Sequence, residues 1–292
     1  MQSNARMVNA WIFLNEDEPS NTDYNDPSSC YQTLISGNVY QSVDILYLCF
    51  ATTTPVSATT IPSQSAAPAN SYTIEMGASS HPGGLTNQDY MNYVIRDARA
   101  DNPKIKIAMT LNWGDGSLLA NIFSNQQYTP QQNAEYFAAN LMAYLKYYNL
   151  DGFDIDWESP ICDDTTQEQF SLLITAIGTE FQQQTDKKYY LTLSPAEVGN
   201  LDSNAVNQYV DFVNLQLYSG FTSPVQFTDA GVKSSLFAYG AKFESAYQTA
   251  QGAYEDNKNK YGYSIFTNWR LNSDNYVFEQ AQQKKLYTLV FG

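Results

Sequence analysis

The sequence predicts an α/β chain closed into a single (β/α)8 TIM barrel. Three observations lead there. Eight short apolar runs alternate with helical patterns in one unbroken series, as parallel strands joined by crossover helices require. The length of 292 residues fits one barrel of about 250 residues with loop insertions. Finally, a row of acids closes one of the runs, and barrels place their chemistry at the C-terminal ends of strands. An open doubly wound sheet shares the alternation, but the acids favour the barrel.

The elements follow in order. Residues 8–14 give the first strand, and residues 43–51 (VDILYLCFA) give a second that is nearly all apolar, as strands buried on both faces tend to be. A segment rich in Thr, Ser, Pro, Ala and Gly then reads as a long irregular loop over about 52–88, above the C-terminal face and a candidate wall of a cleft. Residues 105–111 form the third strand. Thr129 and Pro130 open a helix whose apolar residues Phe137, Leu141, Tyr144, Leu145 and Tyr148 recur at spacings of three and four. Residues 150–158 are the fourth strand and carry the acids; Phe170, Leu173, Ile174, Ile177 and Phe181 mark the helix after it. Residues 189–194, 212–218, 236–243 and 263–269 complete the eight strands, the seventh being the weakest in pattern. No linker separates a second domain, so 1–292 reads as one unit.

Composition limits the partners. The formal net charge of −15 repels nucleic acid and anionic membrane surfaces. No apolar run approaches the length of a membrane span. Three cysteines make no disulfide framework, and only a pairing of Cys30 with Cys162 is open to them. His81 is the sole histidine, which leaves little material for a zinc site or a Ser-His-Asp triad. No metal and no cofactor are expected. A secreted location is expected, but the N-terminal residues show no signal-peptide core, so it needs a signal absent from this chain or another export route; otherwise the protein stays inside the cell.

The acids are the most informative feature. In a strand, Asp154, Asp156 and Glu158 project from one face at steps of roughly 6–7 Å, with Phe153, Ile155 and Trp157 on the other. Three carboxylates in a row cannot all ionise cheaply, so at least one pKa must rise. A carboxylic acid kept protonated near neutrality is what a general acid needs. A calcium loop or solvated acidic turn would have no use for the interleaved Phe, Ile and Trp. The sixth strand repeats the device: Asn214, Gln216 and Tyr218 alternate on one face, and inward polar groups need partners or a task.

The run from Asp151 to Glu158 resembles the D-x-x-D-x-D-x-E signature of glycoside hydrolase family 18, the chitinases and endo-β-N-acetylglucosaminidases. The resemblance implies substrate-assisted hydrolysis, an exception to the usual two-carboxylate scheme. Glu158 would protonate the leaving oxygen, Asp156 would orient the substrate's acetamide, and Asp154 would share a proton with Asp156. Asp151, out of step with the other three, has a structural role at the start of the strand. Gln216 and Tyr218 look like the family's Gln-x-Tyr element, with Tyr218 aiming the acetamide carbonyl, Gln216 on substrate or Asp156, and Asn214 beside them. Trp269 resembles the aromatic floor under the reacting sugar. Thr110 stands where the third strand carries a serine in the family, Trp113 is set to stack on a further sugar, Phe50 ends the second strand in a similar aromatic pattern, and Trp11 is near a common Tyr. Between Phe243 and Tyr263 there is no room for the α+β insertion domain of many members. The implied partner is a polysaccharide or glycan containing N-acetylglucosamine, handled by a monomer. A chitinase is the first reading and an endo-β-N-acetylglucosaminidase the alternative. A non-catalytic lectin on the same barrel ranks third, because Glu158 is retained.

Overall fold

The computed structural model describes residues 6–14, 22–58 and 68–292. Nine strands are present among them: β1 (Met7–Phe13), β2 (Ile45–Pro55), β3 (Tyr72–Met76), β4 (Lys106–Leu111), β5 (Gly152–Trp157), β6 (Tyr190–Pro195), β7 (Phe212–Leu215), β8 (Phe237–Lys242) and β9 (Ile265–Trp269). Eight of them pair in parallel as a closed ring, β1-β2-β4-β5-β6-β7-β8-β9, with β9 returning to β1. The eight expected barrel strands are all present, and the chain is a (β/α)8 barrel.

The helices lie between strands: α1 (Cys30–Ser36), α2 (Asn87–Asp101), α3 (Ser117–Ile122), α4 (Pro130–Tyr147), α5 (Ile161–Asp164), α6 (Gln167–Gln183), α7 (Ser203–Tyr209), α8 (Pro224–Asp229), α9 (Ala250–Asp256) and α10 (Tyr276–Phe291). Three of the four long ones, α2, α4 and α6, start on a repeated device; α10 has no side-chain cap at Asn275. Thr86, Thr129 and Thr166 cap α2, α4 and α6, and Asp89, Gln132 and Gln169 reach back to the cap backbone. Each box satisfies two amide groups that a helix start leaves without partners. Between β8 and β9 the chain makes only short turns and α9, with no α+β insertion among the described residues.

The segment expected as an irregular loop is partly ordered. β2 runs on to Pro55, and β3 returns antiparallel against it, Ala51 facing Met76 and Pro55 facing Tyr72. Threonines 52–54 supplied a strand-forming signal that the surrounding Ser, Pro and Gly concealed. Residues 59–67 of that segment lie outside the described residues, as do residues 1–5. No disulfide joins Cys30 to Cys162.

Two apolar layers follow from strand alternation. Outward residues such as Phe153, Ile155 and Trp157 pack under the helices, while Trp11, Tyr47, Phe50 and Ala108 fill the barrel interior. The interior is not purely apolar. Asn9 donates to Thr267 at 3.3 Å, Thr267 to Asn214 at 2.6 Å, and Asn214 to the Ser194 hydroxyl at 3.1 Å. Ser194 and Thr192 in turn donate to Asp154 at 2.8 and 2.6 Å. A buried polar layer is tolerable when its members satisfy one another, and this chain of bonds delivers hydroxyl donors to a buried acid. Gly152 makes the close strand pairing here feasible: a β-carbon would fall 2.6 Å from the Tyr190 carbonyl oxygen.

Candidate active site

The acids of β5 climb the inside of the barrel towards its C-terminal mouth. Asp154 is fully buried, Asp156 nearly so at 7% exposure, and Glu158, just past the strand end, is partly exposed. Burial pushes the Asp154 carboxyl up to about 6, while hydroxyl donations from Thr192, Ser194 and Thr110 pull the other way. Burial raises Asp156 well above the ordinary carboxylate range, and the charge of Glu158, a hydrogen bond shared with it and the charge of Asp154 add to the rise. The acid that leans on Asp156 is therefore Glu158. Asp154, expected to share its proton with Asp156, accepts hydrogen bonds from Thr192 and Ser194 of the neighbouring strand. The reason is register: Asp154 pairs with Thr192 and Asp156 with Ser194, so β6 hydroxyls lie beside the acids at the same level.

Gln216 ties the two upper acids together. Its amide nitrogen lies 3.0 Å from Asp156 Oδ1, 2.7 Å from Glu158 Oε1 and 3.1 Å from the Ser194 carbonyl. β7 ends at Leu215, earlier than the sequence suggests, because the chain turns at Gln216 into a short 3-10 turn over Leu217–Ser219. Tyr218 thus reaches the site from a turn and not from the strand. Burial raises its phenol far above the usual range, and the nearby charges of Asp156, Glu158 and Glu244 act in the same direction. It is a neutral hydroxyl at any ordinary pH, able to donate a hydrogen bond.

A cavity of about 200 Å³ opens over these groups. Asp156, Glu158, Gln216, Tyr218 and Ser194 form its polar side; Trp11, Phe50, Trp113 and Trp269 form the aromatic side. Trp269 stacks on Phe50 with ring centres 6.0 Å apart and meets Trp11 edge-on at 5.9 Å. Its indole nitrogen donates to Glu244 at 2.9 Å. Trp113 stands at the rim and is 40% exposed. A concave pocket with aromatic faces on one side and convergent polar groups on the other suits a sugar ring, which has an apolar face and a hydroxylated edge. A wider depression, about 560 Å³, lies at the opposite end of the barrel around Lys188, Tyr189 and Asp211; its lysine and aspartate are paired with each other at 2.6 Å.

Two expected substrate contacts lie elsewhere. Thr110 pairs in register with Asp154, is fully buried, and accepts from the Trp11 indole at 3.1 Å. Asn214 is buried between Thr267 and Ser194. Both face inward, as alternation predicts, but one layer below the mouth, so they support the site from beneath. Asp151 lies at the far end of β5, where it pairs with Arg99 at 3.2 Å and Lys187 at 2.8 Å and accepts from the Ile107 amide at 3.0 Å. Sequence reading passed over Thr192, Ser194 and Glu244. The first two were visible as alternating hydroxyls in the otherwise apolar run of residues 189–194; nothing local distinguishes Glu244.

The model of the family described as glycosyl hydrolases family 18 matches residues 21–285. The chain belongs to that family. Among relatives, the family 18 chain is 26% identical over 157 residues to mouse (Mus musculus) chitotriosidase-1, covering 47% of this chain and 32% of the relative. It is 31% identical over 108 residues to an endochitinase of Brugia malayi, covering 36% and 20%. It thus spans about a third or less of the length of these curated relatives. Solved structures share the fold. A family 18 chitinase from the chitin utilization locus of Flavobacterium johnsoniae aligns with TM-score 0.64 and 15% identity, over 98% of this chain and 95% of that one. A Cycas revoluta family 18 chitinase in complex with (GlcNAc)3 gives TM-score 0.64 at 13% identity, over 98% and 100%. A chitinase-like agglutinin from Robinia pseudoacacia gives TM-score 0.64 at 14% identity, over 96% and 99%. Enzymes and an agglutinin therefore share this fold.

Proposed function

We propose that this family 18 chain is a retaining endo-glycosidase that hydrolyses β-1,4-linked N-acetylglucosamine, in the manner of a chitinase. The observation that carries the reading is the Gln216 amide bracketing Asp156 and Glu158 at the base of an aromatic-walled pocket. Glu158, the most exposed of the three acids, gives its proton to the glycosidic oxygen as that bond breaks. The substrate's own acetamide oxygen attacks the anomeric carbon and closes an oxazolinium ring. Intramolecular attack avoids the entropic cost of bringing in a second nucleophile. Asp156 leaves on Glu158 the proton the two share at rest, turns to the acetamide N–H and, as a carboxylate, sets negative charge beside the positive ring, the placement that a dry site rewards most. Tyr218 donates to the acetamide carbonyl and aims it. Glu158, now a carboxylate, takes a proton from water as the water opens the ring, so the product keeps the β configuration. Trp269 and Phe50 hold the apolar face of the reacting sugar, and Trp113 meets a neighbouring one.

No step needs a metal or cofactor. Residues 1–292 act as one catalytic domain, monomeric, on polymeric or glycan-borne N-acetylglucosamine outside the cell. Product analysis on chitin oligosaccharides beside a high-mannose glycoprotein tests the reading, with Glu158→Gln as control. Short chitooligosaccharides of β configuration are expected from the native chain and none from the variant. Intact N-glycans, leaving one sugar on the protein, would make it an endo-β-N-acetylglucosaminidase. Binding without product from the native chain would make it a lectin.

A further inference from the structure

Glu244 sits outside the signature, on the turn that follows β8, with about a fifth of its side chain exposed. Three donors converge on its two oxygens. Oε2 accepts from the Trp269 indole nitrogen at 2.9 Å and lies 3.1 Å from Lys242 Nζ; Oε1 accepts from Arg270 at 2.9 Å. Arg270 is itself buried, at 4% exposure. A carboxylate gripped from two sides by cations cannot swing, so an indole N–H bonded to it is fixed in direction as well as distance.

The turn carrying Glu244 is also tied to the segment carrying Trp269. Ser245 and Ala246 occupy the left-handed region, with φ of 53° and 57°, which side chains other than glycine seldom adopt. The conformation is held by bonds across to the chain just after Trp269. The Ser245 amide donates to Ser273 at 3.3 Å and its hydroxyl to Asp274 at 3.0 Å, while the Phe243 amide donates to the Trp269 carbonyl at 3.1 Å. Carboxylate and indole are thus mounted on one rigid unit. Phe50, Trp11 and Phe13 pack on the ring and the Arg270 guanidinium lies 5.7 Å from its centre, but Glu244 holds its N–H by a directional bond.

We propose that Glu244 is a positioning residue that sets the plane and tilt of Trp269 under the sugar ring, with Arg270 and Lys242 keeping its carboxylate in place. This rests on the reading above that the pocket holds an N-acetylglucosamine unit. Grip on the indole matters most when the sugar flattens towards the oxocarbenium-like transition state, because the ring beneath must match the altered shape. Loss of the grip therefore lowers kcat more than it raises KM.

The test compares Glu244→Ala with Glu244→Gln. The amide keeps an acceptor for the indole and gives up the charge. Three readouts are taken: kcat and KM on a chitooligosaccharide, affinity for that oligosaccharide in the Glu158→Gln background, and the ¹⁵N-indole resonance of Trp269, assigned with Trp269→Phe. For Glu244→Ala we expect about a tenfold fall in kcat/KM, carried by kcat, the size that one charge-assisted hydrogen bond accounts for. We also expect a shifted Trp269 resonance with faster solvent exchange. Glu244→Gln should recover most of both. A native indole signal and native kcat/KM in Glu244→Ala would overturn the proposal. So would equal damage in both variants with the indole signal unmoved, since that marks a purely structural ion pair. If the native chain turns nothing over, the hydrolase reading fails by itself, and the indole resonance and oligosaccharide affinity still decide the role of Glu244.

Discussion

Asp154→Asn should flatten the pH dependence of stability between about pH 4 and 6. The carboxyl lies fully inside the barrel, and burial holds it up at about 6, against 3.8 when unperturbed. Across that window the native chain keeps a proton that the unfolded chain has released. The stability this group contributes is fully present below 3.8 and is lost as pH rises through 6. A gap of about two pK units corresponds to roughly 3 kcal/mol. Asparagine keeps the shape and one acceptor for the Thr192 and Ser194 hydroxyls but does not titrate. The assay is urea unfolding at half-unit steps from pH 4 to 7. The native chain should lose roughly 3 kcal/mol more than the variant over that range. Parallel curves would mean that Asp154 titrates as an ordinary exposed carboxylate, and the account of a buried acid layer would be wrong.

Asp156→Asn should cut kcat on N-acetylated substrates on the order of a hundredfold or more, the usual loss when a charge matched to the transition state is removed. An unchanged rate by steady-state assay would exclude substrate assistance through this residue. Asp151→Ala should destabilise the fold by about 2–4 kcal/mol in urea titration, because it strands Arg99, Lys187 and the Ile107 amide around a largely buried position. The kcat of the folded fraction should not move, and a stable variant with lost turnover would draw Asp151 into the chemistry.

How much of this was legible depended on the range of the signal. Apolar runs separated by helical spacing gave all eight barrel strands, since burial of both faces is written into each run locally. Alternation told which side chains of β5 and β7 face inward, but not how deep each lies. Thr110 and Asn214 face inward and still miss the pocket, because depth depends on the stagger between strands, and stagger is set by pairings far apart in sequence. The turn at Gln216 was hidden for a related reason. Leu217 and Tyr218 read as more strand, and only the packing of the following chain shows that β7 has ended. β3 escaped because its strand-like residues are embedded in a segment of loop composition. Glu244 could not be found locally at all, since its meaning comes from Trp269 and Arg270, which reach it from the next strand.

Under the proposed mechanism, the three acids of the signature differ in depth as well as in role. Were they equally exposed, repulsion alone would leave their order of protonation undecided. The barrel breaks the symmetry by burying Asp154 fully, leaving Asp156 a sliver of surface and setting Glu158 beyond the strand end. Hydroxyls from β6 compensate the deepest acid, while the amide of Gln216 reaches the upper two. Asp156 is left between them, disfavoured as an anion by burial and by Glu158. At rest it is satisfied by facing Glu158. An acetamide N–H arriving in the pocket offers it a better partner, one that favours its charged form. Entry of the substrate group would then release Asp156 from Glu158 and ready both acids together. A ligand lacking that group would leave the pair locked, so selectivity for N-acetylated sugars would arise from the resting hydrogen bond as much as from the shape of the pocket.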